Sequence, residues 1–311
     1  MTRTIFIVAA LAFAVTLSAA PAQAAGRTFV SAAGNDSNPC SITLPCRNLQ
    51  AAYNAVAANG EVDVLDPGNY GSLTITGPVN IQGHGWAGLS ANAGAAITIN
   101  APGATDKIFI SGMVLDGLGI AGTTGIIFNS GGTLNVQDSV IRNFTDDGIG
   151  FKPNSSTLSQ LFVSNTLLSD NGASGINISP AGSGTTSGVV DHVKTLNNVT
   201  FGINVFSSTQ ITNVTVSDSV SANNQFSGVN ANSSGTTQVN IMVRNSTIAN
   251  NVLHGLQAVD GGATVRVTRS TITGNGTGWN NLSGAVLSYG DNNIDGNTSG
   301  NTEPPSPLTY K

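Results

Sequence analysis

Apolar and polar residues in this chain alternate in short runs that return at a fixed interval. Val136, Val163, Val190, Val216, Val243 and Val267 stand 27, 27, 26, 27 and 24 residues apart. After each valine come a second short run, a polar pair, an Asn and then Gly-apolar-x-apolar. A repeat of this length marks a solenoid in which each coil stacks on the last. Aligned on Gly148, Gly175, Gly202, Gly228 and Gly255, the next residues are Ile149, Ile176, Ile203, Val229 and Leu256, and two further on come Phe151, Ile178, Val205, Ala231 and Ala258. Side chains of a strand alternate between its two faces, so both apolar columns point inward. The residue between them then points outward. It is Gly150, Asn177, Asn204, Asn230 and Gln257, which predicts an external amide stripe with steps of ~4.8 Å. A second column, Asn171, Asn198, Asn224 and Asn251, lies four residues before the glycines and reads as turn asparagines that tolerate left-handed backbone and form ladders between coils.

Short apolar alternations continue upstream at 79–81, 97–99, 108–110 and 126–128, so the pattern predicts an all-β, single-stranded parallel β-helix over 62–300. An open solenoid needs its ends covered. The stretch 47–59 carries Leu49, Ala52, Tyr53 and Val56 at helical spacing and predicts a short capping helix ended by Gly60, within an N-terminal cap over 25–61. The segment 288–297 reads as a last turn and 301–311 as a flexible tail. At the other end, Arg3 precedes an apolar run from Ile5 to Leu17 and then AQA at 22–24, the pattern of a secretory signal peptide over 1–24. No later run has the length and apolarity of a membrane span.

Composition narrows the partners. Only 9% of residues are charged and the formal net charge is −5, with no basic stripe, which weighs against nucleic acid. The two cysteines, Cys40 and Cys46, are separated by five residues in a chain read as exported, which favours a local disulfide. A reactive thiol pair or half a metal site are the alternatives, and no nearby His or further Cys completes either.

The entry VSAAGNDSNPCSITLPCRNLQAAYNAV (30–56), the following DPGNYGSLTITGPVNIQGHG (66–85) and the coil motif from Leu134 to Ile272 resemble right-handed parallel β-helix proteins of the pectin-lyase-like superfamily. The resemblance implies an acidic or neutral polysaccharide ligand along the outer face of a strand column. The superfamily's pectate lyases use an acidic calcium cluster with an arginine base, and its polygalacturonases use aspartates with a nearby GHG and RIK. NFTDDGIGF (143–151) resembles the aspartate pair, but the next coil carries GASGINI (172–178) in place of GHG, and no RIK is present. The GHG at 83–85, with His84, falls in the N-terminal coils, out of order.

These letters single out Asp146 and Asp147, with Lys152 nearby, as candidates for acid and base chemistry on a glycoside. Adjacent residues on a strand point to opposite sides, however, and a turn-capping role for both aspartates is the competing reading. Asp146, Asp147 and Asp170 are the candidate hard-oxygen ligands for calcium; otherwise no cofactor is expected. His254 stands four coils below Asp147, or ~19 Å, too far to share a bond with it. Asp191 and Arg244 align two coils, ~10 Å, apart, and with His192, Lys194, Arg266 and Arg269 read as solvated charges. Phe201 and Phe206 bracket Asn204 as a stacking surface for a sugar ring or as packing between coils. The expectation is an exported, periplasmic or extracellular β-helix that contacts polysaccharide through Asn177, Asn204, Asn230, Gln257, Phe201 and Phe206 as a binding or structural module. The alternative is a lyase, hydrolase or epimerase acting on a uronic-acid polymer through Asp147 and Lys152.

Overall fold

The computed structural model describes residues 24–91, 93–120, 122–304 and 308–309. All but the last residue of the predicted signal peptide lies outside them. Within the repeat, each coil contributes three short strands that pair in parallel with their counterparts one coil away. The first stack includes Thr133–Gln137, Leu158–Ser164, Thr185–Asp191, Ile211–Ser217, Val239–Arg244 and Ala263–Thr268. The second includes Val140–Arg142, Leu167–Ser169, Lys194–Leu196, Val220–Ala222 and Thr247–Ala249. The third has nine strands, among them Ile149–Phe151, Ile176–Ile178, Ile203–Ser207, Ser227–Ser233 and His254–Val259. In two early coils, Val79–Ser90 and Lys107–Asp116 each run through the first and second stacks as one long strand.

The valine column is the register mark of the first stack. Each valine pairs with the next, and all six are buried. β-Branched side chains suit a pleated, packed surface, and each buried valine contributes about 1.5–3 kcal/mol relative to exposure. The column extends upward through Ile110, Ile81 and Val62. Between the first and second stacks the chain turns through a left-handed residue in each of six successive coils: Asp138, Asn165, His192, Asp218, Asn245 and Arg269. Between the second and third it does so at Asn143, Asp170, Asn197, Asn223 and Asn250.

That second set corrects one expectation. The left-handed residue is the one before the Asn171 column; the column itself turns inward and is buried. Asn198 Oδ1 accepts from both the backbone N–H and the Nδ2 of Asn171, at 3.2 and 2.9 Å, and Asn224, Asn251, Asn275 and Asn297 repeat the arrangement. Stacked amides satisfy the inward-facing backbone of each turn, which no apolar side chain could do.

The cap also differs from expectation in one respect. The helix spans Leu49–Ala55, with Leu49 and Ala52 buried, and ends at Val56, whose backbone is already extended. Gly60 does not end it; Gly60 lies inside the strand Val56–Val64, where an added Cβ would stand 2.7 Å from Gly26 O. Glycine there permits close approach of the two strands. Cys40 and Cys46 form the expected disulfide, and their loop lies across the first edge strand: Phe29 N–H donates to Cys40 O, and Cys46 N–H donates back to Phe29 O. Backbone that would otherwise template a further strand is thereby paired. At the far end, the described part of the expected flexible tail is held. Asn301 Oδ1 closes the buried amide ladder on Asn297, Thr302 O accepts from Trp279 Nε1 at 2.7 Å, and Glu303 Oε1 accepts from the Asn292 backbone at 3.2 Å.

Candidate functional site

The outer face of the third stack brings most of the predicted site residues together. Gly150, Asn177, Asn204, Asn230 and Gln257 pair one to the next across the strands, and Asn280 extends the row. The row exists in the predicted register, but it is less exposed than predicted. Asn177, Asn204 and Gln257 are half-buried, and Asn230 is only 2% exposed. The amides are turned along the stack toward one another. Asn230 Nδ2 donates to Asn204 Oδ1 at 2.8 Å, Asn204 Nδ2 to Asn177 Oδ1 at 3.0 Å, and Asn177 Nδ2 to Asp147 Oδ2 at 2.8 Å. A carboxylate only accepts, so Asp147 sets the direction of the whole chain. Bonds aligned in one direction polarise each other.

The ladder stops where the side chain lengthens. Gln257 carries one more methylene than asparagine, and its Oε1 accepts from Ser227 Oγ at 3.0 Å. Asn230 Oδ1 is left buried with no hydrogen-bond partner.

Asp146 and Asp147 lie in the turn before the strand Ile149–Phe151 and differ in exposure: Asp146 is half-buried and Asp147 is 1% exposed. Asp147 Oδ1 accepts from the Ser174 backbone N–H at 3.2 Å, and Lys152 Nζ lies 3.2 Å from Asp147 Oδ2. This revises the turn-capping reading of Asp147, because the N–H it holds belongs to the next coil. Gly150 makes the pair with Lys152 feasible. A Cβ there would lie 3.2 Å from Lys152 Cε and 3.7 Å from Asp147 Oδ2, so its absence leaves the lysine room to fold across the strand. Burial pushes the Asp147 carboxyl above the ordinary carboxylate range and the Asp146 charge adds to this, while Asn177, Lys152 and the Ser174 N–H pull it back.

The other candidates are not gathered here. His254 pairs with Ser227 across the strands at the lower end of the row; its Nε2 lies 3.3 Å from Asn280 Nδ2, its Nδ1 is buried without a partner, and burial lowers its pKa. Phe201 meets Phe226, ring centroids 5.7 Å apart, whereas Phe206 stands beside Asn232. Phe226 escaped the sequence reading because it occupies the position of Thr200, outside any apolar column. For calcium, the three proposed aspartates do not converge. Asp170 instead accepts from Asn197 at 3.1 Å, and the one trio of metal-ligand type among the described residues is Asp191, His192 and Asp218. His84 Nε2 lies 2.5 Å from Asp63 Oδ1 beside Trp86, on the N-terminal coils.

No protein-family model matches this sequence, and neither does any curated protein. Among solved structures, the chain superposes on pectate lyase Pel9A with a TM-score of 0.62 and 17% identity, covering 84% of this chain and 74% of that one. The fold is a right-handed parallel β-helix. Looser likenesses link this β-helix to the A-module of the mannuronan C-5 epimerase AlgE4 of Azotobacter vinelandii, with a TM-score of 0.45, 16% identity and 85% and 95% of the two chains covered. A rhamnogalacturonan lyase gives a TM-score of 0.45 and 15% identity over 80% and 74%. At 17% identity the likeness to Pel9A is one of fold, and the chemistry of this β-helix has to be argued from its own side chains.

Proposed function

We propose that this β-helix is an exported, non-catalytic module that holds a polysaccharide chain along the outer face of its third stack. The observation that carries this reading is the commitment of Asp147: its side chain is 2% exposed, and both its oxygens are engaged by Ser174, Asn177 and Lys152. A group so enclosed anchors the amide row and does not address a scissile bond. Asn177 and Asn204 each retain an unused amide N–H and a carbonyl lone pair, the complement of a sugar hydroxyl. Phe201 and Phe226 add ring surface beside the row. Export is supported by the disulfide and by the N-terminal apolar run.

A second reading, an enzyme acting on a uronic-acid polymer through Asp147 and Lys152, is favoured by the raised pKa of Asp147 beside a cation. One experiment separates the two. Purified protein is tested against neutral and uronate polysaccharides for retention and for reducing ends or unsaturated products, with and without calcium. The expected outcome is retention that grows with oligomer length, weakened by about 1 kcal/mol for each of Asn177→Ala and Asn204→Ala, and no product. Turnover that vanishes in Asp147→Asn would establish the enzyme instead.

A further inference from the structure

Three of the eleven Lys and Arg residues of this acidic chain line one groove of ≈ 540 Å³ on the outer face of the first stack, near its C-terminal coils. They are Arg244, Arg266 and Arg269, with Met242 and Tyr289 among the less polar walls. The strand register places them there. Met242 pairs with Arg266 and Arg244 with Thr268, while the alternate positions Ile241, Val243, Val265 and Val267 are buried in the core. Arg269 follows in the turn at φ 48°, in a column that Asp138, Asn165, Asp218 and Asn245 fill in four other coils and His192 in a fifth. A long cation therefore stands where short Asx side chains are the rule.

The ion pairs among the described residues involve Arg27, His84, Arg142, Lys152 and His192, and none of the three groove arginines. Arg266 Nη1 donates to Asn240 Oδ1 at 3.2 Å, and Asp291 accepts from Thr268 Oγ1 and from the Arg269 backbone N–H. Gathering like charges is unfavourable, and a bound oxyanion reverses the sign of that interaction. The planar guanidinium fork matches a carboxylate or sulfate through paired hydrogen bonds. The ligand's length is bounded by the same face. Two coils above Arg244, past Ser217, lies Asp191, with Asp218 in the adjacent turn, so an extended polyanion running up the stack would meet acids.

We infer that this groove binds a small ligand carrying a carboxylate or sulfate on a compact ring, with the oxyanion among Arg244, Arg266 and Arg269 and the ring against Met242 and Tyr289. This site is on a different face from the amide row and stands or falls independently of it.

Benzoate is the probe, with benzyl alcohol as its uncharged counterpart, inorganic sulfate as competitor and backbone amide resonances as the readout. Benzoate is expected to shift residues 239–244 and 263–269 and to be displaced by sulfate, while benzyl alcohol shifts nothing. Arg244→Gln and Arg266→Gln should each weaken benzoate about tenfold, with Arg266→Lys restoring only part of the loss. All three positions face outward, so thermal unfolding of these variants should match the parent. Shifts confined to other strands, affinity unchanged by both Gln variants, or an equal loss in the distant control Lys194→Gln would overturn the proposal.

Discussion

Asn177 Nδ2 donates to Asp147 Oδ2 across one coil at 2.8 Å, and this bond sets the polarity of the Asn204 and Asn230 amides below it. Asp147→Asn keeps one acceptor oxygen, for Asn177, but turns a donating NH2 toward the Ser174 N–H and removes the charge facing Lys152, so it should cost about 1–2 kcal/mol. Asp147→Leu leaves the Ser174 N–H and the Asn177 amide without an acceptor and should cost about 2–4 kcal/mol. Equal losses in the two variants by urea unfolding would show that the charge pair with Lys152, and not the ladder, is what matters.

The row has a defect that can be repaired. Gln257→Asn shortens the side chain to the length used by Asn177, Asn204 and Asn230, and brings an amide donor within reach of the buried Asn230 Oδ1. Satisfying that oxygen should raise stability by about 0.5–1.5 kcal/mol. A lower melting temperature than the parent would count against this account of why the ladder ends.

The two asparagine ladders should respond differently to truncation. Asn224 is buried and joins Asn198, Asn251 and Thr195, so Asn224→Ala orphans several polar groups in the core and should cost about 3–5 kcal/mol. Asn204 is half-buried on the outer face, and water can replace its bonds in Asn204→Ala at about 1 kcal/mol. Comparison of the two unfolding midpoints checks the ranking.

His254 supplies a pH signature. Its folded pKa lies below the ordinary histidine value of 6.5 because burial disfavours the charged ring. The unfolded chain therefore binds a proton first as pH falls below 6.5, and the folded state loses stability in that window. The parent should melt progressively earlier as pH falls below about 6.5, and His254→Gln should flatten that slope. Parallel curves for the two proteins would assign the slope to other groups.

Reduction of the Cys40–Cys46 bond frees the loop that pairs with Phe29 and Ser31 along the first edge strand. Cys40→Ser with Cys46→Ser should cost about 2 kcal/mol by loop entropy alone. It should also speed hydrogen exchange at Phe29 and Ser31 before the rest of the solenoid, which a purely global effect would not do.

Periodicity alone determined much of this molecule. A strict two-residue alternation repeated every coil leaves one stacking register, so the inward valines, the Gly-apolar-x-apolar strands and the outward row of Gly150, Asn177, Asn204, Asn230 and Gln257 were all legible from the letters. The short loop between Cys40 and Cys46 was legible too. What an outward side chain does next was not, because its partners sit one coil away and its rotamer answers to them. Only the tertiary structure decided that the amides donate toward Asp147 and away from solvent, that Lys152 crosses the gap at Gly150, that Phe201 pairs with Phe226 and not with Phe206, and that the helix gives way at Val56 because the chain must there pair with Ala25–Val30. Hydrophobic pattern fixes which face a residue occupies; hydrogen-bond direction and close backbone approach depend on neighbours some 27 residues distant in the chain, which a local pattern does not encode.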